Sequence, residues 1–229
     1  MDKFKGILFA ALSAATLIPL YANQAILDGV FNETILVYRY GIAGIVYAIY
    51  LLLRRMNMRL TRREVKEVSL AGVGGYGITA FFLMWSYHYM PTGVATAIHF
   101  FYPVVVALLM AIFYKERLPL EVKAGIVLAI CGVYLLSWTP GEVKWLGLFF
   151  VLMSTVTYGC YITALNRPML KRMNPDVLTC YVLLFTALFY LILAVAQGKM
   201  EIITRPRFLL DMVQLAILST IVSARLLVA

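Results

Sequence analysis

The stretch PTGVATAIHFFYPVVVALLMAIFYKERLP, Pro91 to Pro119, decides the fold. From Val94 to Tyr114 it carries no formal charge. A helix of about 21 residues, rising about 1.5 Å at each, spans a hydrocarbon core of about 30 Å. It reads as a membrane helix stopped by Lys115, Glu116 and Arg117. Pro103 has no N–H to donate, so a carbonyl near residue 99 is freed and a kink is expected near the middle.

The rest of the chain agrees. Its 229 residues are 63% hydrophobic and 14% charged, with mean hydropathy +0.88, whereas a soluble domain is roughly half apolar and a quarter charged. Seven further apolar runs lie near 6–24, 34–53, 70–90, 122–138, 145–165, 177–197 and 209–228. The fold class is therefore an all-α integral membrane protein with eight predicted transmembrane helices. The opening MDKFKGILFAALSAATLIPL imitates a signal peptide, but its apolar run is long and others follow, so it reads as a retained first helix.

The net charge of +9 would suggest nucleic acid in a soluble protein, yet the basic residues sit between apolar runs and form no recognition face. They read as topology. One side carries Lys3, Lys5, Arg54, Arg55, Arg59, Arg62, Arg63, Lys66, Lys115, Arg117, Lys123, Arg167, Lys171 and Arg172; the other carries Lys144, Lys199, Arg205 and Arg207. Basic loops stay in the cytoplasm, which places the N-terminus inside the cell, in the inner membrane of a bacterial-style cell. Trp85, Trp138 and Trp145 fall toward the outer side, as an aromatic belt requires.

An internal repeat is legible. A shift of 141 positions pairs Gly6 with Gly147, Phe9 with Phe150, Ser13 with Ser154 and Thr16 with Thr157, and a shift of 142 pairs Asn32 with Asn174 and Leu36 with Leu178. The unit is five helices. An odd unit starts its second copy on the opposite membrane side, which makes the repeat inverted. Residues 1–138 form the first five-helix repeat, and 145–229 an incomplete second repeat of three helices.

Arg39 in YRYGIAGIVYAIYLLLRR, Pro103 in FYPVVVALL and KERLP at 115–119 together resemble the EamA-type transporters of the drug/metabolite transporter superfamily. The resemblance covers essentially the whole chain, as the first eight helices of a ten-helix inverted-repeat (5+5) fold, so the chain is expected to be truncated after the eighth helix. It implies movement of small metabolites by alternating access. The family motif usually has glycine before the glutamate of the charged stop, where this chain has Lys115.

No Asp or Glu lies deep in an apolar run, so a carboxylate proton relay has no carrier. His88 and His99 are the remaining titratable candidates, and His99 is either a proton carrier or a ring satisfied by a neighbouring helix. Arg39 either snorkels or pairs structurally, or touches an anionic group of a substrate. Ala95, His99, Tyr102, Pro103, Val106 and Met110 share one helical face, a candidate cavity wall. Ser13 and Thr16, repeated by Ser154 and Thr157, point either to the repeat interface or to helix packing. Tyr76, Trp85, Tyr158 and Tyr161 could line a site for flat or apolar metabolites or simply pack. Glycines 72, 74, 75 and 77 lack the strand and GK[ST] of a phosphate loop and read as close helix packing.

Cys131, Cys160 and Cys180 lie in apolar runs without metal-ligand spacing. No metal or cofactor is expected. The expected partners are the lipid bilayer, a small-molecule substrate and a second copy of the chain as a homodimer, with no nucleic acid. An enzyme is disfavoured because no catalytic grouping is present. The alternative to transport is an inactive or partner-dependent fragment of such a transporter.

Overall fold

The structure is a computed structural model that describes residues 25–115, 120–137 and 143–216. Among these residues every regular element is helical. Five helices among the described residues are long and apolar enough to cross a membrane: Asn32–Leu53, Arg62–Ser86, Thr92–Tyr114, Trp145–Ala164 and Pro175–Ala196. They fall on the apolar runs at 34–53, 70–90, 94–114, 145–165 and 177–197. Ser13, Thr16, Glu116, Arg117, Trp138 and Arg225 lie outside the described residues.

In chain order the elements are α1 (Asn32–Leu53), α2 (Arg62–Ser69), a π-helical segment (Leu70–Gly77), α3 (Ile78–Ser86), α4 (Thr92–His99), α5 (Tyr102–Tyr114), α6 (Leu120–Ser137), α7 (Trp145–Ala164), α8 (Pro168–Arg172), α9 (Pro175–Ala196) and α10 (Pro206–Gln214). They form two compact units, one from Met1–Val73 with Pro168–Ala229 and one from Gly74–Arg167.

In the first unit α1 and α9 pack antiparallel along their lengths. The Tyr40 and Tyr190 rings stack at 6.2 Å, Gly44 lets Leu184 approach so closely that an added Cβ would sit 2.8 Å from its Cδ2, and Tyr47 donates to Asp176 Oδ1 at 2.7 Å. Tyr47, Leu51, Val177 and Cys180 bury the end of this pair. At the other end Lys199 Nζ meets Glu33 Oε1 at 2.9 Å, while Thr34 Oγ1 donates to the Lys199 carbonyl at 2.6 Å and accepts from the Glu201 N–H at 3.2 Å. That end is shaped by Gly198. It adopts φ +65° after the last turn of α9, and the Lys199 N–H then reaches back to Ala194 O at 2.8 Å.

The outward faces are apolar: Leu53 is 79% exposed and Ile192 61%. Exposed apolar surface on this scale needs a nonpolar solvent, and lipid supplies it. The basic stretch 54–67 between two apolar runs is not wholly loop, because a helix begins inside it. Thr61 caps α2 by accepting from Glu64 N–H while the Glu64 carboxylate accepts from Thr61 N–H at 2.7 Å, a reciprocal box that lets helix start at Arg62 despite its charges.

The glycine-rich run becomes the π segment. Its wider turns displace carbonyls from the regular ladder, and Thr186 Oγ1 donates to Gly72 O at 3.1 Å. Gly72 itself sits against α9 backbone, where a Cβ would lie 3.2 Å from Val182 O. Close helix packing is thus what the glycine at 72 provides.

In the second unit α7 is the shared partner. It runs antiparallel to α3, with Tyr89 beside Gly147 and Thr79 bonded to Thr157. It runs parallel to α4 and α5, with His99 beside Ser154, Val105 against Gly159 and Asn166 near Met110. Regular helix is interrupted at Phe100 and Phe101, just before the proline. Regular helix stops at His99, and the tighter pairings Phe101 N–H to Ile98 O and Val104 N–H to Phe101 O carry the chain to Pro103.

Candidate functional site

Seven of the expected site residues meet inside the second unit. Pro103 interrupts the α4–α5 backbone, and the break swings His99 and Tyr102 onto α7, where both are half-buried. His99 Nδ1 lies 2.9 Å from Ser154 Oγ. Ser154 is fully buried and its hydroxyl donates to the carbonyl of Val151 at 2.7 Å. One turn along α7, Tyr158 collects the rings: the Tyr102 centroid is 4.6 Å away at right angles, His99 5.4 Å, Tyr161 5.8 Å and Tyr76 6.3 Å. Tyr76 and Tyr161 are 5.4 Å apart. An edge-to-face contact such as Tyr102–Tyr158 contributes about 1 kcal/mol beyond area burial.

This convergence has a local cause. Ser154, Thr157, Tyr158 and Tyr161 are spaced three, four and seven residues apart, so they occupy one face of α7. Gly75 allows that face to come close, since a Cβ there would lie 2.9 Å from Tyr161 Cβ. Thr157 donates within its own helix to Met153 O at 2.9 Å. The resulting wall combines an imidazole, three hydroxyl-bearing short side chains and four phenols, and can offer hydrogen bonds and flat ring surface to a small molecule.

The remaining expected residues lie elsewhere. Trp85 shares the unit but joins a different aromatic group, with Phe81, His88 and Phe150, and its buried indole N–H has no hydrogen-bond partner among the described residues. Pro103 is exposed and contributes through the kink it forces. Arg39 belongs to the first unit, where it is 8% exposed and its guanidinium lies 5.2 Å over the Tyr40 ring. Thr79 was not singled out in the sequence, where no charge or motif marks it, yet its hydroxyl meets Thr157 at 2.9 Å.

The model of the EamA-like transporter family matches residues 4–138, more than half of the chain. The chain belongs to the EamA-like transporter family. An uncharacterized transporter of Archaeoglobus fulgidus is 30% identical to this EamA-like chain over 141 residues, which are 62% of it and 49% of the relative. A probable terminal-alkyne amino-acid exporter of Streptantibioticus cattleyicolor is 28% identical over 130 residues, 56% of this chain and 43% of that one. The chain thus spans about half the length of the curated relatives it matches. A protein of known crystal structure has the same fold, with TM-score 0.71, 20% identity, and coverage of 97% of this chain and 77% of the other. The family and both relatives are transporters by name, which fits a multi-pass membrane protein that is not an enzyme.

The family pattern also acquires a physical reading at Lys115. This residue ends α5 in the left-handed region, with φ 55°. A β-carbon is unfavourable there and glycine is not, so the glycine usual in the family motif suits the turn better than the lysine found here.

Proposed function

We propose that the protein moves a small organic metabolite across the cell (inner) membrane by alternating access, with its N-terminus in the cytoplasm. In this reading the chain forms eight helices of a ten-helix inverted repeat, divided as 1–138 and 145–229. The antiparallel packing of α1 on α9 supports it, because Asn32 and Asn174 start these two repeat-equivalent helices and inversion requires them to run in opposite directions. The substrate is a partner along with the bilayer, a homodimer is the assembly we favour, and no cofactor enters the reaction.

The observation that carries the reading is the polar and aromatic wall of His99, Tyr102, Ser154 and Tyr158 on helices that are otherwise apolar. Polar side chains within a membrane are costly and mark substrate paths. The test is uptake by vesicles containing the protein across a panel of amines, amino acids, sugars and organic acids. Saturable accumulation of one class is expected, and transport of none would overturn the proposal. The relative named as an amino-acid exporter makes amino acids the first compounds to try.

A further inference from the structure

We infer that Ser154 is a positioning residue that locks His99 in the tautomer protonated at Nδ1, so that Nε2 is the accepting nitrogen of this wall. A serine hydroxyl has one hydrogen, and Ser154 Oγ makes two short contacts, 2.7 Å to Val151 O and 2.9 Å to His99 Nδ1. A carbonyl oxygen donates nothing, so the first contact must contain the serine hydrogen; without it two oxygens would face each other at 2.7 Å. The hydrogen of the second contact can then come only from His99 Nδ1. In a neutral imidazole the other nitrogen is left with a lone pair.

The consequence lies at Nε2. Whatever faces that nitrogen must donate to it, and any proton His99 takes up enters there, leaving the Nδ1 bond to Ser154 intact. Among the described residues, the titratable rings beside His99 are Tyr102 just after the break in its helix, with centroids 6.1 Å apart, and Tyr158 on α7 at 5.4 Å. A donor facing a neutral Nε2, whether on the protein or on a substrate, is a hydroxyl, an N–H or an ammonium group and not a carboxylate. A donor on a substrate rests on the transport reading above; the tautomer does not.

The chain has two histidines, which makes the test direct. Full-length protein carrying ¹⁵N-labelled histidine is placed in lipid nanodiscs, and a His88→Ala variant identifies the His99 signals. The expected spectrum has a protonated Nδ1 and an unprotonated Nε2. Ser154→Ala should shift the population toward Nε2–H, by at least tenfold in the tautomer ratio, while Ser154→Thr, which keeps a hydroxyl, should retain Nδ1–H. A wild-type His99 protonated at Nε2 would overturn the inference, as would an unchanged ratio in Ser154→Ala. Uptake in vesicles, measured separately, reports on the transport reading, so either can fail while the other stands.

Discussion

Replacing Gly159 by alanine probes the packing that brings α5 and α7 together. A Cβ at residue 159 would lie 2.6 Å from Val105 Cγ1 and 3.1 Å from Val105 Cβ. Carbon atoms in ordinary contact are about 3.5–4.0 Å apart, so about 1 Å must be recovered. Valine in a helix holds essentially one side-chain rotamer, so the methyl cannot rotate away and the helices must separate. Overpacking of this kind costs about 1–3 kcal/mol. Taking about 2 kcal/mol, thermal unfolding in detergent micelles should shift down by about 4–8 °C. Val105→Ala removes the opposing methyls, so the double variant Gly159→Ala/Val105→Ala should be more stable than the sum of the single losses by about 1–2 kcal/mol. A Gly159→Ala protein as stable as wild type, or losses that merely add, would refute the close approach.

Lys115→Gly should raise the unfolding temperature, by about 1 kcal/mol of stability, because it removes a β-carbon from a left-handed residue; a fall would mean that the turn is not left-handed. Thr186→Val should cost about 1 kcal/mol by removing the hydroxyl that satisfies Gly72 O, and faster hydrogen exchange in the π segment should accompany the loss. Lys199→Met leaves the nearly buried Glu33 carboxylate without its ammonium partner and should cost about 2 kcal/mol, less than for a wholly buried pair because Lys199 is partly solvated. Adding Glu33→Gln should recover most of that loss, and thermal unfolding of the two variants decides it.

Hydropathy made the long helices legible, since a run such as 177–197 admits few other structures. Their ends were less so. The start of α2 depends on a reciprocal Thr61–Glu64 cap, which outweighs the arginines that made 54–67 read as a loop. Pro103 announced a kink, but its placement at Phe100 and Phe101 follows from which carbonyl the missing N–H frees, one turn earlier. In the site, the spacing of Ser154, Thr157, Tyr158 and Tyr161 marked one face of α7, and the bond from His99 to Ser154 gives that face its polarity. What spacing could not supply was the partner across the gap: Thr79 carried no charge and no motif, and only the antiparallel approach of α3 to α7 joins it to Thr157. Arg39 was the opposite case, conspicuous by charge and yet buried over Tyr40 in the other unit.

In the proposed function the Tyr158 wall lies on the path of a transported molecule. Vesicle uptake of the best substrate should be compared for wild type, Tyr158→Ala and Ile192→Ala, the last altering a side chain that is 61% exposed on the lipid-facing side of α9. Tyr158→Ala should lower uptake at least tenfold at equal amounts of folded protein, while Ile192→Ala should transport like wild type. Equal uptake by all three would contradict it.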